Sequence, residues 1–285
     1  MPETTWTVAE PRRLTFDEPV TALDVRVVDG AINVVGTDEP DARLEVSAID
    51  GPPLVVTLRE GTLTVTYEDL PWQGFLTWLD QRRPRRSAVV SLTVPAGTAV
   101  KVGAVGAEAV VSGVRGRTEL RGVSGDSTLV GVSGAVRAET VSGGLEAQSV
   151  TGDLHFQSVS GDLTVVEGAG TSVRAESVSG HMVLDLDTSP KPTDIRLTSV
   201  SGRIAVRLPH PADARVEANT AAGTVSNAFE DLRVAGQWGA KKITGTLGAG
   251  TGRLKATTVS GSIALLRRPP AQDHTHGAEP TGKVL

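Results

Sequence analysis

RTELRGVSG (117–125), DSTLVGVSG (126–134), AVRAETVSG (135–143), GLEAQSVTG (144–152) and DLHFQSVSG (153–161) are five consecutive nonapeptides closing on Val-Ser-Gly or Val-Thr-Gly. The register returns at SVRAESVSG (172–180), DIRLTSVSG (194–202), RVEANTAAG (215–223), QWGAKKITG (237–245) and RLKATTVSG (253–261). Repetition at a fixed period decides an architecture before local propensity does. Within a copy, position 2 is mostly aliphatic (Val136, Leu145, Leu154, Val173, Ile195) and position 4 apolar (Leu120, Leu129, Ala138, Phe156, Ala175). Positions 3 and 5 are mostly polar, and position 7 is nearly always valine. That alternation is the period of a half-buried strand. The closing Ser-Gly reads as a turn, with glycine free to take positive φ. Each nonapeptide is therefore one short strand and one corner.

A single such strand has an apolar face that needs a partner sheet. Two nonapeptides make a flattened turn with two strands facing each other. The expectation is an all-β fold, a single-stranded β-solenoid or β-helix of two stacked parallel sheets with about 18–22 residues per rung. Glycines 161, 180, 202, 223, 245 and 261 lie 19, 22, 21, 22 and 16 residues apart, which fits the longer rung. The intervening strands are visible at LTVV (163–166), MVLDL (182–186) and IAVRL (204–208), and Asp187–Asp194 reads as a loop bulging from a corner. About eight rungs at ~4.8 Å each predict a column on the order of 40 Å. The charges test the rung length. Eighteen residues stack Glu119 on Arg137 and Arg121 on Glu139, and further along Arg196 beside Glu217, whereas nine would place Glu119 over Thr128.

Composition bounds the rest. The chain has 285 residues, no cysteine, 32 glycines, four Trp, four Phe and one Tyr. Disulfides and thiolate metal sites are excluded, and the core must be built from Val, Leu, Ile and Ala. With 28 basic and 33 acidic residues, net −5, the chain is not a generic nucleic-acid binder. Residues 1–20 hold Glu3, Glu10, Asp17 and Glu18 and no continuous apolar stretch, so no secretory signal is read and the expected location is cytoplasmic.

The domain reading is a lead at 1–19, a solenoid at 20–267 with the regular repeat at 117–266, and a disordered tail at 268–285 rich in Pro, Gly, Thr and His. Alternating stretches at 23–28, 31–35, 43–49, 54–58, 63–67 and 88–94 read as irregular first rungs, since terminal repeats are usually atypical. Between them lies the insert PWQGFLTWLDQRRPRRS (71–87). Trp72, Phe75, Leu76 and Leu79 fall on one helical face, with Trp78 beside them, and Arg82, Arg83, Arg85 and Arg86 follow. Trp72, Phe75, Trp78, Leu79 and the four arginines are the candidate contact residues for a protein partner or the inner-membrane surface. The plainer reading of the same segment, compatible with such contact, is a cap over an open sheet edge.

Catalytic patterns are missing. The five histidines (155, 181, 210, 274 and 276) have no metal-type spacing, and there is no nucleophile elbow or phosphate loop. GAGTG (248–252) lies between strands and reads as a loop. Ser-Gly-Asp at 124–126 and 160–162 lacks the Gly-Gly-x-Gly-x-Asp pattern of calcium β-rolls. No metal, cofactor or catalytic residue is expected. Asp185, Asp187 and Asp194 are the best acid cluster for a carbohydrate-active β-helix, the enzymatic alternative.

The serial Val-Ser-Gly copies, GAINVVG (30–36), SLTVPAGTAVKV (91–102) and TTVSGSIAL (257–265) resemble the bacterial "putative adhesin" domain-of-unknown-function family over about residues 20–267. That resemblance implies a β-solenoid, no known catalytic residues, and a setting at the cell envelope and its stress responses. The functional expectation is a non-enzymatic interaction scaffold. Its alternatives are a solenoid that self-assembles end to end through its edges and the β-helix enzyme.

Overall fold

The computed structural model describes residues 3–68, 85–237 and 239–268. These form two sheets, one of 14 strands and one of 12, and no helix. The chain winds from the larger sheet to the smaller and back, placing one strand in each per turn. Val100, Thr118, Val136 and Leu154 stack at intervals of 18 residues, followed by Val173, Ile195 and Leu254. The rung is thus two nonapeptides, as the charge pattern required. Glu119 and Arg121 lie opposite Arg137 and Glu139. Arg121 reaches Glu119 at 2.8 Å and Glu139 at 3.5 Å. Ten rungs run parallel, and the 14-stranded sheet extends to about 60 Å at one strand spacing per step.

The core is a narrow double row of inward side chains. Leu129, Ala147, Phe156, Leu163, Met182, Leu184, Ile204 and Leu254 are essentially inaccessible to solvent. Both ends depart from simple winding. At the N-terminal end the rung Ala22–Val27/Asp29–Thr37 lies inside the later rung Thr62–Tyr67/Ser87–Pro95. Beyond it, Ala42–Asp50 and Leu54–Arg59 run antiparallel. Residues read as a lead supply the outermost strand of each sheet, Thr4–Val8 and Arg12–Phe16. Trp6 and Phe16 meet edge to face at 5.3 Å and close that end.

The C-terminal end corrects two expectations. Strand Gly252–Thr258 enters between Asp194–Ser199 and Ala214–Thr220, so Arg196 faces Lys255, and Glu217 is one strand further on. Residues 237–245, counted as a repeat copy, contribute to Ala240–Leu247, which runs antiparallel to Ala214–Thr220. The hairpin Leu232–Gln237/Ala240–Leu247 then forms the edge of the larger sheet. Ending the column in a twisted antiparallel hairpin blunts an edge that a parallel rung would leave open.

The two corners solve one sequence motif differently. At the first corner, where the chain leaves the larger sheet, the residue before Val-Ser-Gly stays in the strand and points inward. Ser177, Ser199, Thr258 and Thr220 are buried there, and the following residue, Val178, Val200, Val259 or Ala221, faces out. Each hydroxyl accepts the N–H of the glycine three residues on, at 2.9 Å for Ser177–Gly180 and Ser199–Gly202 and 3.1 Å for Thr258–Gly261. At the second corner the equivalent residue takes a left-handed conformation: Gly131 at φ 61°, Ser149 at φ 52°. That reversal turns Val132 and Val150 into the core. Ser199→Ala leaves the Gly202 N–H without its partner in a buried corner. It is expected to lower stability by about 1–3 kcal/mol. Ser199→Thr keeps most of it. Urea unfolding of both variants checks this.

Candidate functional site

The first corner carries an apolar feature that the core does not absorb. Val141, Val159, Val178, Val200 and Val259 are between 37% and 53% exposed, whereas Val132 and Val150 at the other corner are 0% and 3% exposed. They stack rung on rung. The amide of Ser160 bonds the carbonyl of Val141 at 2.8 Å, Ser179 bonds Val159 at 2.9 Å, and Ser201 bonds Val178 at 3.0 Å. Ser260 bonds Val200 at 2.9 Å, and Val123 precedes the series through Ser142 at 2.7 Å. With one strand spacing per rung the ridge is about 24 Å long. Serine hydroxyls line it, each donating to the carbonyl of the preceding rung's valine. Isolated exposed valines are ordinary; a continuous row of them is a candidate contact surface.

The insert opens on the same edge. The chain leaves the larger sheet at Tyr67 and enters the smaller one at Ser87, so residues 68–86 span a first-corner connection. The base of that connection is in line with the ridge: Asp29 N–H bonds the Arg86 carbonyl at 3.1 Å, and Gly106 N–H bonds the Val28 carbonyl at 2.7 Å. Trp72, Phe75, Trp78, Leu79, Arg82 and Arg83 lie outside the described residues. Arg85 is exposed. Arg86 differs from the surface role expected of it: it is 8% exposed, with its guanidinium 5.8 Å from the centre of the Tyr67 ring. Burial pushes the Tyr67 hydroxyl up to about 12, while Arg86 pulls it the other way. Arg86 closes the core beside Tyr67, leaving Arg82, Arg83 and Arg85 as the candidate contact cations.

The acid cluster is a set of ion pairs. Asp185 is held by Arg207 at 3.2 Å and Arg268 at 3.3 Å. Arg268 also reaches Asp187 at 3.1 Å, and Asp194 takes Arg196 at 2.9 Å. Glycoside hydrolysis needs one carboxyl that carries a proton and one that acts as nucleophile or base. Here each of the three carboxylates is paired with an arginine. The loops 187–193 and 209–213 enclose a cavity of about 330 Å³ beside this cluster, with a proline-rich rim at Pro190, Pro192, Pro209 and Pro211. Asp213 on its wall is held below the usual carboxylate range, first by the Thr251 hydroxyl and then by the Thr251 amide. His181 Nδ1 accepts the Arg203 amide at 3.0 Å, a link between rungs. Among the described residues no group of three or more His, Asp or Glu is placed to hold a metal ion.

Sequence reasoning missed the ridge because Val-Ser-Gly looks the same at both corners. The distinguishing signal is the residue before it: Ser or Thr at the first corner in AVRAETVSG and DLHFQSVSG, Gly in DSTLVGVSG at the second. Ser149 in GLEAQSVTG at the second corner and Gly122 in RTELRGVSG at the first both break that rule, so the signal is partial.

The chain belongs to the Toastrack DUF4097 family, a family of unknown function whose profile matches residues 20–266. No curated protein matches the sequence. Among solved structures, one described as a "putative lipid binding protein" from Parabacteroides distasonis is 11% identical, covers 92% of this chain and 98% of its own, and has a TM-score of 0.44. A "putative adhesin" from Bacteroides fragilis is 10% identical, with coverages of 90% and 98% and a TM-score of 0.44. A second "putative adhesin", also from Parabacteroides distasonis, is 14% identical, with coverages of 93% and 97% and a TM-score of 0.43.

Proposed function

We propose that this chain is a non-enzymatic, adhesin-like interaction scaffold whose working edge is the first corner. The observation that carries the reading is the valine ridge, exposed over consecutive rungs and in line with the base of the insert. A solenoid suits this use, because each rung repeats the same outward position at a fixed spacing. The partner surface is proposed to be an anionic membrane at the cell envelope, met from the cytoplasmic side. In its sequence the insert joins apolar Trp72, Phe75, Trp78 and Leu79 to Arg82, Arg83 and Arg85, and apolar contact with basic charge is what such a surface binds. End-to-end assembly is the weaker reading: the outermost strand of the smaller sheet carries Arg12 and Arg13, and charge on an edge opposes strand pairing.

The test is sedimentation with vesicles. The parent chain is expected to pellet with phosphatidylglycerol vesicles at low salt and not with phosphatidylcholine alone. Changing Arg82, Arg83 and Arg85 to Ser removes about 1 kcal/mol each, roughly a 100-fold loss in affinity. V159E/V178E/V200E is expected to abolish binding and to lower the melting temperature by only a few degrees, because the three side chains are half-exposed although the added carboxylates stack on consecutive rungs. A parent chain that pellets with neither vesicle removes the membrane as partner.

A further inference from the structure

The outer face of the 14-stranded sheet has an unusual charge arrangement at its C-terminal end. Where Gly252–Thr258 enters the sheet, Arg253 comes directly opposite Arg215, and Lys255 comes opposite Arg196. Like charges on facing positions of neighbouring strands repel. Each also faces an acid on its other side, Arg253 opposite Asp194 and Lys255 opposite Glu217, but those carboxylates are held by other partners. Asp194 is engaged by Arg196 at 2.9 Å, and Glu217 by Lys242 at 3.1 Å and Asn219 at 3.3 Å. Among the described residues Arg215, Arg253 and Lys255 form no ion pair, and all three are exposed. Elsewhere the column treats like charges differently. On the smaller sheet Glu108 faces Asp126, but Asp126 accepts the Gly144 amide at 2.8 Å. Two rungs on, Asp162 likewise accepts the His181 amide at 2.7 Å.

The trio is compact. Adjacent strands are ~4.8 Å apart and alternate residues on one strand about 6.6 Å apart, so three cationic groups converge within the span of one multiply charged anion. Two of them are guanidinium forks, which suit paired oxygens, and one is a point charge. Thr244 and Thr246 lie on the next strand, in a shallow depression lined by the cations Arg215, Arg233 and Lys242 and by the acids Glu217 and Asp231. In a chain of net charge −5, the cations Arg196, Arg215, Lys242, Arg253 and Lys255 outnumber the carboxylates Asp194 and Glu217 among them, and that local excess, at the point where the strand order is swapped, suits a counter-charge from outside.

We propose that Arg215, Arg253 and Lys255 form a binding site for a multiply charged phosphate-type oxyanion. The site is on a sheet face, apart from the valine edge, and does not rest on the membrane reading above.

Thermal unfolding of the full chain in tripolyphosphate, against sodium chloride at equal ionic strength, tests this directly. The parent is expected to melt several degrees higher in tripolyphosphate than in the matched salt, because a ligand that binds only the folded state stabilises it. In R253Q/K255Q that increment should vanish, while the melting temperature without anion changes by no more than about 1–3 °C, because each cation faces one like and one opposite charge. R137Q, in the same row but paired with Glu139, should keep the increment. A parent that responds no more to tripolyphosphate than to chloride, or an increment that survives in R253Q/K255Q, overturns the site. Vesicles identify the source of the phosphate. With valine-ridge residues unchanged, pelleting with phosphatidic acid vesicles that is weakened in R253Q/K255Q makes the ligand a lipid headgroup. A tripolyphosphate response with pelleting unchanged in R253Q/K255Q makes it a soluble phosphate compound.

Discussion

Removing residues 126–134 is expected to cost the protein far more than removing residues 126–143, although the second deletion is twice as long. The longer cut takes out one whole rung, the second-sheet strand Ser127–Val130 and the first-sheet strand Val136–Thr140. Thr118–Gly122 then stacks on Leu154–Ser158, and every later strand keeps its sheet. Each rung contacts only its neighbours, so the shortened column still folds. Its local losses are the pairs around Glu139, which are partly exposed and contribute about 0–1 kcal/mol each.

The shorter cut removes half a rung, and every strand after it must change sheets. Thr140, Ser158, Ser177 and Ser199 would arrive at the second corner, where the backbone must turn left-handed as it does at Gly131. Each non-glycine residue forced there costs about 1–2 kcal/mol. Val141, Val159 and Val178 would turn inward and Val150 outward, against the packing around them. The sum exceeds about 5 kcal/mol, comparable with the whole stability of an ordinary domain at ~5–15 kcal/mol. The half-rung deletion should therefore fail to give a cooperative melt, and the full-rung deletion should melt within several degrees of the parent. Equal melts for the two would mean that strands do not alternate strictly between the sheets.

Gly161→Ala is expected to destabilise the protein by at least about 3 kcal/mol. Glycine closes the repeat for a reason other than backbone freedom. Gly125, Gly143, Gly161, Gly180 and Gly202 all have negative φ, contrary to the turn expected from the motif. What they share is a column. A Cβ on Gly161 would overlap the carbonyl oxygen of Gly143, and a Cβ on Gly180 that of Gly161, far inside van der Waals contact. The clash is with backbone one rung away, so relief requires prising two rungs apart. The same holds for Gly202 against Gly180 and Gly261 against Gly202. Gly97→Ala is the control: nothing lies within 4 Å of its added Cβ and its φ is not positive, so its stability should change by less than about 0.5 kcal/mol. Chemical denaturation of the two variants separates the column from a general cost of replacing glycine.

Short-range periodicity determined a large part of this molecule. Alternation at positions 2 and 4 requires strands with one buried face. The complementary charges at 119, 121, 137 and 139 require an eighteen-residue rung, because side chains on stacked strands meet only their own register. Both features are local or repeat at a fixed interval, so a linear reading contains them. The order of strands at the ends is another matter. Gly252–Thr258 and Asp194–Ser199 pair across more than fifty residues, and no local signal distinguishes that pairing from stacking in chain order. It is decided by where the antiparallel hairpin at 232–247 can close the sheet. The fate of each valine is decided in the same way. Val-Ser-Gly is one motif, but whether its valine packs inside or stands in the exposed ridge depends on whether the preceding residue continues a strand or reverses the chain. That choice follows from which sheet the chain is leaving, a property of the whole winding. The cationic trio at Arg215, Arg253 and Lys255 follows from the same long-range pairing, since 38 residues separate its two arginines and only the swapped strand sets them face to face.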